Sequence, residues 1–174
     1  TLKSDFIKCF ITKNRWKFIT EGLTATLKIT LLSCIMGIVI GLVVAIVRST
    51  YDKNYSQMRR GLGKFLLAVG NFFCNIYLTV IRGTPVVVQL MIMYYIIFAT
   101  SSNGILIAVS AFGINSGAYV AEIFRSGIMS VDNGQFEAGR SLGFGYISTM
   151  LYIVFPQAFK SVLPALANEF IVLL

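Results

Sequence analysis

The sequence has 174 residues, of which 56% are hydrophobic and 13% are charged, with a formal net charge of +8. An ordinary soluble domain is roughly 45 to 50% apolar and about 25% charged, so the composition argues against a water-soluble fold. Long stretches contain no charged residue, and a helix needs only about 20 mainly apolar residues to cross a membrane. We therefore predict an all-α, polytopic helical membrane protein.

The excess of basic residues has a particular meaning in a membrane protein. Lysines and arginines flank the apolar stretches, where they meet lipid head groups and help to set the orientation of the helices. We expect contact with membrane lipid and no nucleic-acid partner. The chain has no histidine and its seven carboxylates do not cluster in the sequence. We therefore predict no metal site and no residue set for acid and base catalysis, and hence no enzyme.

The first predicted element is an amphipathic interfacial segment at residues 1–19. Its apolar residues fall near one helical face with lysines opposite, which is typical of a helix in the membrane interface. These residues are Phe6, Ile7, Phe10, Ile11, Phe18 and Ile19. The first span then runs from Leu23 to Val47, where Gly37 and Gly41 form a GxxxG pattern. The pattern either lets a neighbouring helix approach closely or consists of two unrelated membrane glycines.

The remaining predicted spans follow a basic loop at residues 48–64. Residues 65–98 form one long element that is interrupted at Arg82-Gly83-Thr84-Pro85. Span 105–124 comes next, and residues 146–155 start a fourth span. A further helix is predicted to begin near Leu163, but up to Leu174 it would cover only about 18 Å of the ~30 Å hydrocarbon core. We therefore expect about five membrane helices, of which the last is incomplete because the chain is a fragment.

The distribution of charge does not settle the orientation of the spans. Loop 48–64 shares one side of the membrane with Arg125 and Arg140, because two spans separate them, and the positive-inside rule places that side in the cytoplasm. The basic residues of segment 1–19 would then lie outside, against the same rule.

A short helix is predicted at Asn133 to Leu142. Asp132 can accept a hydrogen bond at its N-terminus, Gln135 can complete a capping box, and Val131 can pack against Phe136 as a hydrophobic staple. Gly143 can adopt the left-handed conformation that ends a helix.

The middle of this helix is Glu137-Ala138-Gly139, a carboxylate followed by two small residues. Small residues let a helix sit deep in a groove, and the carboxylate can pair with a partner or with Arg140. These features predict a docking helix at the cytoplasmic surface.

The docking helix also carries a family resemblance. Glu137-Ala138-Gly139, three residues, Gly143, nine residues, Ile153, one residue and Phe155-Pro156 resemble the EAA loop of ABC importer permeases. Gly139 replaces the second alanine of that loop, and Phe155 replaces a leucine. Three other segments resemble the polar-amino-acid permease subfamily, and the resemblance covers about Thr20 to Leu174. They are Arg82-Gly83-Thr84-Pro85 with Gln89, the NSGAYVAEIFR stretch at 115–125, and Leu163-Pro164-Ala165 with Asn168-Glu169-Phe170.

The resemblance implies an ABC importer type I transmembrane domain at residues 20–174, truncated at its C-terminus, in the bacterial inner membrane with the N-terminus outside. It implies cytoplasmic ATPase subunits, a second permease subunit in a homo- or heterodimer, and an external amino-acid-binding protein as partners. The chain has no GxxxxGK[ST] loop, so we expect no cofactor of its own and ATP bound by the partner. The docking residues would then couple the ATPase to the spans. They are Gln135, Glu137, Ala138, Gly139, Arg140 and Gly143.

Polar residues inside apolar spans are costly and usually face a cavity or another helix. Five of them are predicted to line a substrate pathway: Thr84, Gln89, Asn115, Ser116 and Glu169. Structural roles are the alternative: Thr84 would cap the helix after Pro85, and Asn115 and Ser116 would make interhelical hydrogen bonds. Glu169 would face either a substrate's cationic group or a structural hydrogen bond, and Glu122 is expected to pair with Arg125.

The function predicted from these features is a permease subunit of an ATP-driven amino-acid importer. The alternative is a passive channel or facilitator for small polar solutes, which would carry polar residues repeated along several spans. Here the spans contain few such residues, and the docking helix is the clearest signal.

Overall fold

A computed structural model describes residues 15–56, 58 and 61–174 of the chain. These residues form helices, without a β-strand in the described ranges. The helices are α1 (Trp16–Asn54), α2 (Leu62–Gly83), α3 (Val86–Ile97), α4 (Gly104–Ser130), α5 (Asn133–Ser141) and α6 (Tyr146–Leu173). Most of the predicted interfacial segment, including Phe6, Ile7, Phe10 and Ile11, lies outside the described residues, whereas Trp16 to Ile19 belong to α1.

Four of the described helices, α1, α2, α4 and α6, are long and apolar enough to cross a membrane, and α3 is a shorter apolar helix. Helix α1 has 39 residues. At 1.5 Å per residue it extends over about 58 Å, nearly twice the ~30 Å hydrocarbon core. It is therefore longer than the apolar layer is thick, and its C-terminal end contacts α5 through Lys53.

The separate helix predicted from Leu163 is wrong. Helix α6 continues from Tyr146 to Leu173 with Pro164 inside it, and its length of about 42 Å is enough to cross the hydrocarbon core. A π-helical segment at Met150–Val154 precedes Pro156, which occupies the first turn of the following α-helical part. A proline in a first turn interrupts few hydrogen bonds, and a π segment shifts their spacing, so Pro156 does not end the helix.

The predicted interruption at residues 82–85 is confirmed. Helix α2 ends at Gly83, and Thr84 and Pro85 have extended backbones before α3 begins at Val86. Proline disfavours the helical conformation of the residue before it, which accounts for the extended Thr84. A π-helical segment, Met93–Ile97, closes α3.

The centre of the fold is the contact between α1 and α4, the most extensive one between any two described helices. A Cβ atom at Gly41 would lie 2.5 Å from Val120 Cγ1, and one at Gly37 would lie 3.0 Å from Ser116 Oγ. The GxxxG pattern thus marks a close helix approach, which rules out the reading of two unrelated glycines. Helix α6 packs on the same core through Val162, which clusters with Val120 and Phe124.

Candidate functional site

Helix α5 is fixed at both ends, as the sequence predicts. Asp132 accepts a hydrogen bond from the backbone N–H of Gly134 at 2.6 Å. At the other end, Gly143 has a φ of 81°. The N–H of Gly143 donates to the carbonyl of Arg140 and the N–H of Phe144 donates to that of Gly139, both at 2.9 Å. These two bonds form a Schellman motif, which sets where the helix stops.

The predicted capping box is wrong. Gln135 makes no hydrogen bond to the Asp132 N–H in the described part of the chain, and its side-chain oxygen instead accepts from Gln157 Nε2 at 3.3 Å. Gln157 belongs to α6, so Gln135 ties α5 to that helix. The predicted hydrophobic staple is found, because Val131 packs against the buried cluster that contains Phe136.

The two faces of α5 differ in burial. Phe136 and Gly139 are buried, whereas Glu137, Ala138 and Arg140 are exposed. No ion pair joins Glu137 to Arg140 among the described residues. A Cβ atom at Gly139 would lie 2.5 Å from Thr149 Oγ1, so this chain has no space for the alanine that it replaces. The small residues thus divide their roles: Gly139 packs inward and Ala138 faces outward.

The C-terminal end of α1 braces the docking helix. Lys53 Nζ lies 4.2 Å from the centre of the Phe136 ring and 3.4 Å from Asn133 Oδ1. The Phe136 ring in turn stacks on Tyr146 of α6, with ring centroids 6.0 Å apart. A cleft of about 460 Å³ opens beside this contact and is lined by Lys53, Glu137 and Arg140, among others. Sequence reasoning missed Lys53, because no local pattern relates it to a helix 80 residues later.

The second group of polar residues surrounds the break between α2 and α3. Gln89 Nε2 donates to the carbonyl of Ile81 and to Thr84 Oγ1, both at 2.7 Å, while Asn115 Nδ2 donates to Gln89 Oε1 at 3.1 Å. The Thr84 hydroxyl donates back to the carbonyl of Val80 at 2.9 Å, and α3 has no side-chain cap. The alternative role of Thr84 as a cap for α3 is therefore wrong. Gln89 connects the break to α4.

A cavity of about 730 Å³, which we call the outer cavity, lies next to this break. Thr84, Asn115 and Glu169 line it together with Arg82 and Tyr119. Ser116 is buried, and its hydroxyl donates to Glu169 Oε1 at 2.8 Å. The structure thus brings three of the five predicted pathway residues to one cavity. The other two are bonded to them, Gln89 to Thr84 and Asn115, and Ser116 to Glu169.

Glu122 lies at the centre of a charge cluster that the sequence only partly indicates. Its pairing with Arg125 is confirmed at 3.2 Å, but Arg48 Nη1 approaches more closely, at 2.6 Å, and Arg82 Nη1 lies 3.7 Å away. Arg125 also pairs with Asp52 at 3.2 Å. The partners come from α1, α2 and α4, and helices distant in the sequence give no periodic signal of their contacts.

A smaller cavity of about 490 Å³, which we call the inner cavity, borders this cluster and is lined by Arg48, Asn75, Thr79 and Glu122. It also shares Arg82, Gly83 and Tyr119 with the outer cavity. Polar and charged side chains therefore continue from Glu169 to the end of α1.

Comparisons with known proteins place this geometry in a family. Residues 37–174 match the family described as the binding-protein-dependent transport system inner membrane component. A putative glutamine transport system permease protein of Rickettsia prowazekii (strain Madrid E) is 42% identical over 102 residues, which are 57% of this chain and 47% of the relative. The arginine transport system permease protein of Bacillus subtilis (strain 168) is 43% identical over 105 residues, 59% of this chain and 48% of the relative.

A solved structure agrees with these relatives. The crystal structure of an amino acid ABC transporter with histidines is 41% identical, with a TM-score of 0.68, and the match covers 84% of this chain and 63% of that one. The chain spans about half the length of the curated relatives it matches. The family match extends over most of the residues and includes α4, α5, α6 and both cavities. This chain belongs to the family of binding-protein-dependent transport system inner membrane components.

Proposed function

We propose that this chain is the permease subunit of an ATP-driven amino-acid importer. It forms the translocation pathway with a second permease subunit, receives its substrate from an extracytoplasmic binding protein, and couples to a cytoplasmic ATPase through α5. The observation that carries the proposal is the combination of a rigid, outward-facing docking helix with a polar cavity inside an apolar helix bundle. The named transport relatives support the same class of substrate.

The exposed surface of α5 fits a partner protein. Glu137, Ala138 and Arg140 face outward, and Leu142 at the end of the helix is 71% exposed. Together these side chains offer both the charged and the apolar contacts that a protein interface uses. Because both ends of α5 are fixed, a force on this surface reaches α6 through Gly139 and Thr149 and reaches α1 through Lys53.

The outer cavity fits a small zwitterionic solute. Its volume lies within the roughly 300 to 1,000 Å³ typical of small-molecule sites. Glu169 offers an anionic group for the basic side chain of a substrate, and Asn115 and Thr84 offer neutral polar groups beside it. Rocking of the helices around this cavity would expose it to the two sides of the membrane in turn.

The proposal is tested by transport in liposomes. The full-length permease, with its ATPase and binding protein, is reconstituted and supplied with labelled glutamine, arginine or histidine. We expect uptake only when ATP is present on the side of the membrane that carries the ATPase. Replacing ATP with a non-hydrolysable analogue should stop it. Uptake at the same rate without the ATPase would contradict the proposal and indicate a passive facilitator.

A further inference from the structure

One side chain stands where the outer and inner cavities meet. Arg82, Gly83 and Tyr119 line both cavities, and the Arg82 guanidinium lies 5.8 Å from the centre of the Tyr119 ring. Arg82 is the only charged residue that both cavities share in the described part of the chain. The guanidinium therefore lies where the linings of the two cavities meet.

Arg82 is also the most loosely held cation of its cluster. It lies 3.7 Å from Glu122, beyond hydrogen-bond distance, and its side chain is 45% exposed. Arg48 and Arg125 approach the same carboxylate to 2.6 and 3.2 Å, and their side chains are 19% and 29% exposed. Glu122 therefore retains two close cationic partners when Arg82 moves away.

The charges of the cluster do not balance. Three guanidinium groups, of Arg48, Arg82 and Arg125, surround the carboxylates of Glu122 and Asp52. One positive charge is left over, and Arg82, the farthest from Glu122, is the group best able to accept another anion.

We propose that Arg82 is a carboxylate-binding gate between the two cavities. At rest its guanidinium closes the passage beside Tyr119 and Glu122, and it turns to the carboxylate of an amino acid that enters the outer cavity. The planar guanidinium matches a carboxylate through two parallel hydrogen bonds, a stronger contact than its present one with Glu122. This inference rests on the proposed function, since it requires a substrate that carries a carboxylate.

The gate is tested by direct binding to the complete, purified transporter without its binding protein. Calorimetry compares arginine and histidine with agmatine and histamine, which lack only the carboxylate. We expect the wild type to bind the amino acids more tightly than the amines. Arg82→Met should weaken amino-acid binding by about tenfold or more, as for the loss of a bidentate charged pair, and should leave amine binding unchanged.

Two further variants separate the gate from a packing role. Lys160→Met removes an exposed cation that belongs neither to this charge cluster nor to the lining of either cavity in the described chain, so amino-acid affinity should stay within about twofold. Arg82→Lys keeps the charge but loses the planar fork, so it should weaken amino-acid binding less than Arg82→Met and leave amine binding unchanged. It also replaces Arg82→Met if that variant does not assemble.

The outcomes are distinct. Equal losses for amino acids and amines in the Arg82 variants, or no loss in either, would overturn the gate, as would a wild type with no preference for the amino acids. If the wild type imports amino acids with ATP while its binding is independent of Arg82, only the gate is wrong. If its binding depends on Arg82 but uptake needs no ATP, only the proposed function is wrong.

Discussion

Glu169 is a carboxylate within the apolar helix α6, and its hydrogen-bond donor, the Ser116 hydroxyl, is uncharged. A carboxylate at the centre of a membrane helix costs at least ~2.5 kcal/mol on insertion scales, so it persists where a partner or a function stabilises it. The Ser116 hydroxyl at 2.8 Å supplies one hydrogen bond but no positive charge. Because Glu169 also lines the outer cavity, we propose that the basic side chain of a substrate supplies the missing charge.

The variant Glu169→Gln tests this assignment. The glutamine side chain at position 169 keeps the shape of glutamate and can still accept a hydrogen bond from Ser116, but it carries no charge. We expect uptake of arginine to fall about tenfold or more while uptake of glutamine falls less than about threefold, for whichever of the two the wild type accepts. Uptake by full-length protein at matched membrane levels measures this. An unchanged rate for arginine, or equal losses for both substrates, would assign Glu169 a structural role.

Asn115 lines the outer cavity and donates to Gln89, so it has both a pathway position and a bonding role. Replacement by leucine puts apolar bulk into the cavity and removes the bond across the α2–α3 break. We expect Asn115→Leu to reduce uptake to background while the ATPase still copurifies with the permease. Ser126→Leu, at an exposed position of the same helix, is the control. Loss of the copurifying ATPase in Asn115→Leu alone would make Asn115 a packing residue.

At the scale of single elements, α5 depends on the backbone of one glycine. A side chain at φ near +60° costs roughly 1 to 2 kcal/mol, and more for a β-branched residue. Gly143 has a φ of 81° and open space around it, so valine would suffer from the backbone conformation alone. We expect Gly143→Val to displace the end of α5 and abolish ATP-driven uptake, with normal amounts of membrane-inserted protein.

The chain contains a matched control for this change. Gly145, two residues later, also has no neighbour within 4 Å of a Cβ position, but its φ is −71°, which any residue adopts. Gly145→Val should therefore retain most of the uptake. Equal rates for the two valine variants would show that the left-handed end of α5 is not needed for coupling.

The contact of α5 with α6 at Gly139 and Thr149 gives a second prediction for this element. Alanine at Gly139 would place its Cβ 2.5 Å from Thr149 Oγ1 and 2.7 Å from Thr149 Cγ2. Overpacking of this kind typically costs about 1 to 3 kcal/mol, which we expect to appear as a severalfold loss of uptake. The double variant Gly139→Ala with Thr149→Ala removes both clashing atoms and should recover most of it. A double variant no better than Gly139→Ala would exclude the contact as the cause.

Local chemistry explains which features were predictable from the sequence. The cap at Asp132, the left-handed Gly143, the break at residues 82–85 and the GxxxG contact each depend on a few neighbouring residues, and each is found. The continuity of α6 is not predictable in the same way, because Pro156 and Pro164 disfavour a continuous helix locally and the π segment before Pro156 has no sequence signal of its own.

The residues that were missed come from helices distant in the sequence. Arg48, Asp52 and Arg82 gather around Glu122 and Arg125 only after α1, α2 and α4 have packed together. Lys53 meets α5 for the same reason. Their charge was visible in the sequence, but their partners were not.

At the scale of the whole molecule, we expect the α1–α4 contact to determine how much of the protein folds in the membrane, and not only how fast it transports. Gly41→Val would place a side chain against Val120 and the backbone of Ala121, in a core that cannot yield without separating the two helices. We expect a large loss of folded protein in the membrane, measured by detergent-solubilised yield and size-exclusion profile. Gly22→Val, in the same helix with nothing within 4 Å, should leave the yield unchanged. A normal yield for Gly41→Val would mean that the two helices are not as close as described.

The same contact gives α1 the properties of a lever. Gly41 lies between Lys53, which rests on the docking helix, and Thr30, whose hydroxyl donates to the carbonyl of Leu173 at 3.0 Å. At 1.5 Å per residue the two arms are about 18 and 16 Å long, so they are nearly equal. Because α4 is bonded to α1 on both sides of Gly41, at Ser33 and at Arg48, we expect the two helices to tilt together. For a tilt centred near Gly41, an inward displacement of the Lys53 end would accompany an outward displacement of similar size at the Thr30 end.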